Sequence, residues 1–166
     1  MSPYRPDLVD CWLFRVGPAG AEILLLRRAA GRILPGLWQC VSGTLEPAER
    51  VAQGALREVA EETAYGPESI EAFFDLDLVD QFHEPSVDAV MTAAVFAVQL
   101  KPGAEPNLSH EHDGARWLPV DTAYHEVIWP GYREAIARIR DDVLDPERGP
   151  WFELDLEGRR LARPPR

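Results

Sequence analysis

Few cysteines, short apolar runs and a shortage of positive charge set the first limits on what this sequence encodes. The 166 residues include two cysteines, Cys11 and Cys40, whose separation is unlike the paired spacing of a zinc site. Both fall in segments that read as strands, so we expect two buried free thiols rather than a disulfide. A small disulfide-stapled fold and a zinc-binding domain are therefore not expected.

The apolar stretches are too short to cross a membrane. The longest one, residues 89–98, contains Thr92 and has about half the length that a membrane-spanning helix needs. The first residues lack the basic-then-apolar pattern of a secretory signal. We therefore expect a cytoplasmic protein.

Positive charge is scarce, because 17 lysines and arginines face 28 aspartates and glutamates, which gives a net charge of −11. This charge repels nucleic-acid backbones and anionic membranes, so we expect neither as a partner. It also repels a phosphorylated substrate unless a divalent cation lies between the acidic groups and the phosphates. The charge balance is thus consistent with a metal-dependent site.

The chain has the size and the composition of one globular domain, with 46% hydrophobic residues and no repeat or low-complexity block. Alternating or continuous apolar residues predict strands at 9–16, 21–26, 37–41, 70–82, 87–100 and 115–118. Helical spacing predicts helices at 47–64 and 130–143, with a short turn at 121–126. We therefore expect a domain over residues 1–145 with a mixed sheet flanked by helices. Residues 146–166, rich in proline and arginine, are predicted to form a loosely held extension.

Three glutamates on the first predicted helix form the most informative pattern. Glu58, Glu61 and Glu62 are three and four residues apart, so one helix face presents three carboxylates close together. Such like charges repel and raise one another's pKa, and a divalent cation reverses both effects. Magnesium selects hard oxygen ligands of this kind. The alternative is a solvated helix face on which Arg57 and Glu61 form a surface pair.

The spacing of this segment resembles the Nudix box, Gly-x5-Glu-x7-Arg-Glu-U-x-Glu-Glu-x-Gly-U, in which U is a bulky apolar residue. The residues that match the box are Gly43, Glu49, Arg57, Glu58, Val59, Glu61 and Glu62. Six fixed identities at this spacing arise by chance with a probability on the order of 10⁻⁵ in a chain of this composition. The resemblance implies the Nudix fold, an α/β/α sandwich with a mixed central sheet flanked by helices.

One position departs from the box, because Ala64 stands where the pattern has its second glycine. That glycine ends the helix, where a left-handed residue is often required. Gly66 lies two residues further on and can take the same conformation. We therefore expect the helix to end later, without loss of the chemistry.

The resemblance extends beyond the box, over roughly residues 8–140. Residues 38–43, Trp-Gln-Cys-Val-Ser-Gly, are similar to the Trp-Gln-x-Val-Thr-Gly segment of the dihydroneopterin triphosphate pyrophosphatase branch. Residues 24–28 resemble the family's second strand, whose closing arginines face the substrate. Glu111-His112 followed by Trp117-Leu118, and the later helix that carries Arg133, also look like that branch.

The resemblance implies roles for particular residues. It implies magnesium, or manganese, as the cofactor, with metal ligands at Gly43 (through its carbonyl), Glu58, Glu61 and Glu62. The implied catalytic set consists of Arg57, Glu58, Glu61 and Glu111. In that set Arg57 holds the glutamates in position, and Glu111, on a polar loop, is the base outside the box. Glu49 is expected to support Arg57 or to contact the metal through water, and Glu111 has the alternative of being a solvated loop acid.

Substrate contacts are less closely specified. Arg27 and Arg28 alternate across a strand, and we favour Arg28 as the one that faces phosphates. Trp38 is expected either near the base-binding pocket or in the core. The four histidines lack metal-site spacing and are expected on the surface or in loops: His83, His110, His112 and His125.

Three functions are compatible with these patterns. The first is a nucleoside or pterin triphosphate pyrophosphatase, which releases a monophosphate and pyrophosphate from a small nucleotide-like substrate. The second is a hydrolase of ADP-ribose or of a dinucleoside polyphosphate. The third is a non-catalytic Nudix module that binds a ligand or a protein, although no box glutamate is lost. A homodimer is possible in each case.

Overall fold

The computed structural model describes residues 4–103 and 105–161, which form eight strands and three helices. The strands are β1 (Leu8–Gly17), β2 (Gly20–Arg28), β3 (Trp38–Gln39), β4 (Val41–Thr44), β5 (Ile70–Glu84), β6 (Ala89–Leu100), β7 (His112–Pro119) and β8 (Glu153–Leu154). The helices are α1 (Val51–Thr63), α2 (Val120–Glu126) and α3 (Pro130–Arg138). Every strand and helix that the sequence predicts is present, and the segment 37–41 contributes to two short strands instead of one.

The strands form one mixed sheet in the order β3-β2-β1-β6-β5-β8, with β7 paired to β2 and β4 paired to β1. β1 and β6 run parallel, whereas the other pairs are antiparallel. β4 pairs with the first half of β1, where Val9 lies opposite Gly43. β2 pairs with the second half of β1, from Leu13 onward. Gly43 is therefore held within the sheet, beside the start of β1.

Alternation along β1 supplies one hydrophobic core on each face of the sheet. Leu13 points to the face on which Val59 of α1 is buried. Its neighbour Trp12 points to the opposite face and packs in one cluster with Ile136 of α3. Burial of each such large apolar side chain contributes about 1.5–3 kcal/mol. The helices thus cover both faces, and the predicted α/β/α sandwich is confirmed.

Helix α1 begins later than the sequence predicts. The predicted start was residue 47, but Ala48 has a φ of 63°, in the left-handed region that an α-helix cannot continue through. The backbone N–H of Glu46 donates to the Glu49 carboxylate at 3.0 Å, which ties this turn together. The helix starts only at Val51, so Glu49 precedes the helix.

The end of α1 is also different from the expectation. Ala64 itself adopts the left-handed conformation, with φ 61° and ψ 15°, and its N–H donates to the carbonyl of Ala60 at 2.9 Å. Gly66 is extended, with φ −92°. The prediction that the helix end shifts to Gly66 is therefore wrong, and Ala64 takes the conformation of the missing glycine despite its Cβ.

The described part of the C-terminal extension is attached to the sheet. β8 pairs with β5, placing Leu154 opposite Phe73, and Leu154 is buried. Arg160 donates to the carboxylate of Asp75 at 3.0 Å. The expectation of a loosely held segment is therefore wrong for these residues, because strand pairing and an ion pair hold them. Residues 162–166 lie outside the described residues, and the domain boundary at residue 145 stays a prediction.

Two exclusions made from the sequence can be compared with the structure. Cys11 and Cys40 are buried free thiols, as expected. Burial is the main cause that raises the pKa of each thiol well above its usual value. Within residues 4–103 and 105–161, no helix is long and apolar enough to span a bilayer.

Candidate active site

The carboxyl group of Glu58 lies directly against Gly43. A Cβ atom at residue 43 would be 2.0 Å from Cδ of Glu58 and 2.2 and 2.3 Å from its two oxygens. Such distances are far below van der Waals contact, so a larger residue at 43 requires Glu58 to move. The first glycine of the box therefore provides the space that the Glu58 carboxylate occupies.

Arg57 connects the acidic groups around this glycine. Its Nε and Nη2 donate to the two oxygens of Glu49 at 2.7 and 3.0 Å, a bidentate pair that lowers the pKa of Glu49. Its Nη1 donates to Glu58 at 2.7 Å and to Glu61 at 3.2 Å. Nη2 also donates to the carbonyl of Thr44, at 3.0 Å. The structure thus places Arg57 where it orients the glutamates, and Glu49 is its support.

Glu62 is the most deeply buried of these acids, with 2% of its surface exposed. Neither carboxylate oxygen accepts a hydrogen bond of normal geometry within the described residues, although the backbone N–H of Ser42 lies near enough to lower the pKa of the group. The pKa of this group is raised to about 9, mainly by burial, and the charges of Glu111 and Glu58 contribute in the same direction. An acid buried without a partner destabilises the fold, so its presence calls for a functional explanation.

The other two helix glutamates are in more polar surroundings. Burial raises the pKa of Glu58, and the guanidinium of Arg57 acts in the opposite direction. The Glu61 side chain is 57% exposed and is joined to Arg57 across one helical turn. The predicted surface pair of Arg57 and Glu61 therefore exists alongside the carboxylate cluster. The three carboxyls differ in burial, with Glu62 deepest and Glu61 nearest to solvent.

The loop before β7 brings Glu111 to the same region. The N–H of Ser109 donates to the carbonyl of Glu62 at 3.1 Å, which fastens the loop to the last turn of α1. Glu111 is close enough to raise the pKa of both Glu58 and Glu62. Its side chain is 35% exposed and forms an ion pair with Arg32 at 3.2 Å. It is therefore not an isolated solvated acid, because it is paired with Arg32 and interacts electrostatically with Glu58 and Glu62.

Sequence reasoning missed two buried residues near the helix carboxylates, His112 beside Glu62 and Gln39 on the other side of the His112 ring. The His112 side chain is only 1% exposed, and its Nδ1 lies 3.6 Å from an oxygen of Glu62, beyond hydrogen-bonding distance. Its Nε2 lies 3.1 Å from Nε2 of Gln39, which is also buried. The prediction that His112 lies on the surface is wrong, because β7 begins at this residue and pairs it with Arg28 of β2.

The structure places Arg28 beside this pair of residues. Its Nη1 donates to the side-chain carbonyl of Gln39 at 3.3 Å, and its Nε donates to the backbone carbonyl of Ile33 at 2.5 Å. Burial lowers the pKa of His112, and the positive charge of Arg28 acts in the same direction. Residues 38–43 were part of the family resemblance, but that pattern carries no sign that Gln39 faces His112.

Trp38 lies further along the sheet and is covered by arginines. The guanidinium of Arg116 lies 4.0 Å from the centre of its ring, and that of Arg27 lies 5.7 Å away. Arg116 is in turn paired with Glu126. The ring also packs against the core beneath α2 and α3. The ring is thus partly in the core, as one expectation had it, with Arg116 over one face, and its place near a base-binding pocket stays a prediction.

The carboxylates of this site are chemically suited to bind a divalent cation, but their side chains do not converge on one point in the structure. No three histidine, cysteine, aspartate or glutamate side chains in the described ranges 4–103 and 105–161 converge into a metal site. Arg57 holds Glu58 and Glu61, and mutual repulsion keeps the carboxylates apart. However, the buried Glu62 has two unsatisfied oxygens, and carboxylate and carbonyl oxygens are the ligands that magnesium selects. Glu62, Glu58 and the carbonyl of Gly43 are the groups that could hold it.

The structure combines a mixed sheet between helices with several carboxylates on helix α1. Such carboxylates suit phosphate chemistry that depends on a divalent cation. Residues 5–139 match the family model of the NUDIX domain, and the chain belongs to this family. The matched range contains the complete acidic segment and the loop that carries Glu111. The recognition made from the box is therefore confirmed.

Three known proteins illustrate this similarity. The dihydroneopterin triphosphate pyrophosphohydrolase of E. coli superposes with a TM-score of 0.68 at 25% identity, covering 81% of this chain and 94% of that one. An Ap4A hydrolase of C. elegans gives a TM-score of 0.69 at 19% identity, with coverages of 82% and 96%. A Myxococcus xanthus protein named octanoyltransferase is 36% identical over 120 residues, which are 71% of this chain and 32% of that protein. This chain thus spans about a third of that curated relative's length.

Proposed function

We propose that the chain is a magnesium-dependent hydrolase of a nucleoside or pterin triphosphate, releasing a monophosphate and pyrophosphate. The observation that carries the proposal is the buried Glu62 with two unsatisfied oxygens, next to Glu58 in the space left by Gly43. Support for a triphosphate comes from residues 38–43 and from the segment between Glu111 and Leu118, which resemble the pterin triphosphate branch. The E. coli pyrophosphohydrolase of that name is similar in fold at 25% identity.

The metal role is assigned to the oxygen ligands on and before α1. We assign Glu62 and Glu58 as the main ligands of magnesium, or of manganese, with Glu61 and the carbonyl of Gly43 completing the set. When bound, the cation withdraws charge from phosphate oxygens and makes the phosphorus more electrophilic. Arg57 keeps the carboxylates in place through the hydrogen bonds that it donates to Glu58 and Glu61.

The chain's own residues also account for proton transfer and substrate contacts. We assign Glu111 as the base that takes the proton from the attacking water, while the new oxygen–phosphorus bond forms and the diphosphate bridge breaks. Its ion pair with Arg32 has to loosen for this role. Arg28 is assigned to substrate phosphates because it contacts Gln39 next to the buried His112. Trp38 is assigned to the edge of the substrate pocket on the family resemblance alone, since its ring packs against the core on the α2 and α3 side.

The second candidate is hydrolysis of a dinucleoside polyphosphate or of ADP-ribose. The similarity to the C. elegans Ap4A hydrolase concerns the fold alone at 19% identity, so it keeps this substrate class open without favouring it. A non-catalytic module is disfavoured because all four box glutamates are present and three surround Arg57. Acyl transfer through a thiol is also disfavoured, because both cysteines are buried and the pKa of each is raised.

The setting that we propose follows from charge and chemistry. A net charge of −11 favours a small nucleotide-like substrate delivered with its cation, and it disfavours nucleic acid and anionic membranes as partners. The cytoplasm supplies both the nucleotides and the magnesium. A homodimer stays a prediction, and sedimentation equilibrium of the purified chain tests it.

A substrate panel with product analysis tests the proposed function. Dihydroneopterin triphosphate, the common nucleoside triphosphates, Ap4A and ADP-ribose are incubated with the protein in magnesium and, in parallel, in EDTA. Phosphorus NMR is expected to show pyrophosphate and a monophosphate in equal amounts from a triphosphate, and no reaction in EDTA. Turnover of Ap4A or ADP-ribose without turnover of any triphosphate would move the assignment to the second candidate. Turnover of a triphosphate that persists in EDTA would contradict the metal dependence.

A further inference from the structure

Two buried polar side chains, Gln39 and His112, connect Arg28 to Glu62, and the function proposed above gives neither of them a role. Arg28 reaches Gln39 at 3.3 Å, Gln39 reaches His112 at 3.1 Å, and His112 faces Glu62 at 3.6 Å. The last three side chains are almost completely buried. Buried polar groups in such a row have to be arranged so that each donor faces an acceptor. The direction of each contact can therefore be worked out from the chemistry of the groups.

Arg28 determines which group donates and which group accepts in each hydrogen bond of this row. A guanidinium only donates hydrogen bonds, so the Gln39 atom that faces Arg28 has to be its carbonyl oxygen. The amide nitrogen of Gln39 then faces His112 Nε2, and an amide nitrogen also only donates. His112 Nε2 must therefore be the unprotonated ring nitrogen. A doubly protonated ring is disfavoured for the same reason, because two donors would face each other.

The unprotonated Nε2 of His112 determines the state of the other ring nitrogen, Nδ1. A neutral histidine with a bare Nε2 carries its proton on Nδ1, the atom that faces the carboxylate of Glu62. Within the described residues Nδ1 has no hydrogen bond, and neither Glu62 oxygen accepts one of normal geometry, although the backbone N–H of Ser42 lies near this carboxylate. Two unsatisfied groups of opposite hydrogen-bonding character thus face each other, with less than 1 Å of movement needed to form the bond.

We propose that Gln39 and His112 are positioning residues that present an N–H group to Glu62 and orient its carboxylate towards a divalent cation. Gln39 selects the ring tautomer, and His112 donates to one Glu62 oxygen and leaves the other free for the metal. Partners of this kind, which fix the orientation of a metal ligand, affect affinity for the metal without touching it. The inference rests on the metal role that the proposed function gives to Glu62.

The tautomer can be tested in the metal-free protein without any assay of activity. Long-range nitrogen–proton correlation spectra distinguish histidine protonated at Nδ1 from histidine protonated at Nε2, and the His112→Asn variant identifies the signal. Nδ1 protonation in the wild type is expected. The Gln39→Glu variant places an acceptor opposite Nε2, so it is expected to move the proton to Nε2. An Nε2-protonated His112 in the wild type would overturn the proposal.

Binding of Mn²⁺, followed by calorimetry on the whole chain, tests the positioning role. His112→Leu removes the donor and is expected to weaken Mn²⁺ binding by about 10- to 100-fold. His112→Asn keeps an N–H close to the Nδ1 position and is expected to retain most of the affinity. His110→Asn, in the exposed neighbour, is the control and is expected to bind as the wild type does. A thermal melt in EDTA verifies that each variant is folded.

The outcomes separate this inference from the function on which it rests. Equal Mn²⁺ affinities for the Leu and Asn variants of His112, whether both are strong or both are weak, would overturn the positioning role. In either case a donor at the Nδ1 position would not matter. A wild type that shows the Nδ1 tautomer but binds no Mn²⁺ would overturn the metal role of Glu62 and leave the hydrogen-bond arrangement intact.

Discussion

Glu62 is deeply buried and accepts no hydrogen bond of normal geometry within the described residues, so its ionisation has a free-energy cost in the folded state. Burial raises the pKa of this carboxyl to about 9, above its ordinary value of 4.5. The protonated form therefore stabilises the fold fully below about pH 4.5, and this stabilisation is lost as the pH rises towards 9. Glu62→Gln, which is neutral at every pH, lacks that dependence.

We therefore predict that Glu62→Gln is more stable than the wild type in EDTA, by an amount that grows with pH. The difference in the free energy of unfolding is expected to widen by up to about 1.4 kcal/mol per pH unit. Urea unfolding of both proteins at pH 5.5 and pH 8 measures it. A difference that is the same at both values would contradict the raised pKa.

Glu111 is predicted to be a catalytic base despite its ion pair with Arg32. Glu111→Gln keeps the shape but cannot take a proton, so kcat is expected to fall by about 10²-fold or more with little change in KM. Glu105→Gln is the control. Glu105 is also a loop glutamate paired with an arginine, Arg15 at 3.6 Å, but it is well exposed and has no proposed role. If both variants keep wild-type turnover, the base has to be reassigned to Glu58.

Gly43 is predicted to be required for the position of Glu58 rather than for the fold. In Gly43→Ala the new Cβ displaces the Glu58 carboxylate, which is the flexible end of a side chain, so the loss of stability should be small. Activity is expected to fall by roughly 10- to 100-fold. Gly31→Ala, where a Cβ meets nothing within 4 Å, is the matched control. Full activity in Gly43→Ala, measured beside a thermal melt, would show that Glu58 needs no such space.

Among the elements, helix α1 holds a strained residue at its end. Ala64 has a φ of 61°, which costs a residue with a Cβ about 1–2 kcal/mol, and glycine avoids that cost but loses more chain entropy on folding. We predict that Ala64→Gly stabilises the protein by about 0.5–1 kcal/mol. Gly66→Ala is not expected to stabilise, because its Cβ would lie 2.6 Å from an oxygen of Glu68. Chemical unfolding of both variants checks this, and destabilisation by Ala64→Gly would contradict the strain.

The boundaries of the elements show where sequence patterns reach their limit. Apolar spacing located α1 because Val51, Ala55 and Val59 repeat every four residues, which is a local property. It gave the wrong start because proline at 47 suits a first helical turn, whereas Ala48 is left-handed in the structure. Pairing of β8 with β5 was also missed, since it joins segments about 80 residues apart and no local pattern records it.

The residues of the candidate site also fall into those that a local sequence pattern predicts and those that it does not. The box residues were predictable because consecutive turns of one helix bring Glu58, Glu61 and Glu62 together. Gln39 and His112 were not predictable, because they meet only through the pairing of β3 and β7 with opposite edges of β2. Their contact depends on register between distant strands, and sequence alone does not specify register at that separation.

At the scale of the whole molecule, three distant segments meet on one side of the sheet. Residues 39–43 come from β3 and β4, residues 57–62 from α1, and residues 109–112 from the loop into β7. The hydrogen bond from Ser109 to the carbonyl of Glu62 joins the last two. The fold thus gathers several acids within a chain of net charge −11, and the proposed cation would partly neutralise them.

The claim that these carboxylates hold a cation on which hydrolysis depends is tested most directly by turnover of the substrate that the panel identifies. Wild type, Glu62→Gln and Glu68→Gln are compared in magnesium, with the wild type in EDTA as the background. Glu68 is exposed and lies outside the box, so its variant is expected to match the wild type. Glu62→Gln is expected to remain folded and to fall to the EDTA background. Wild-type turnover in the folded Glu62→Gln variant would contradict the account.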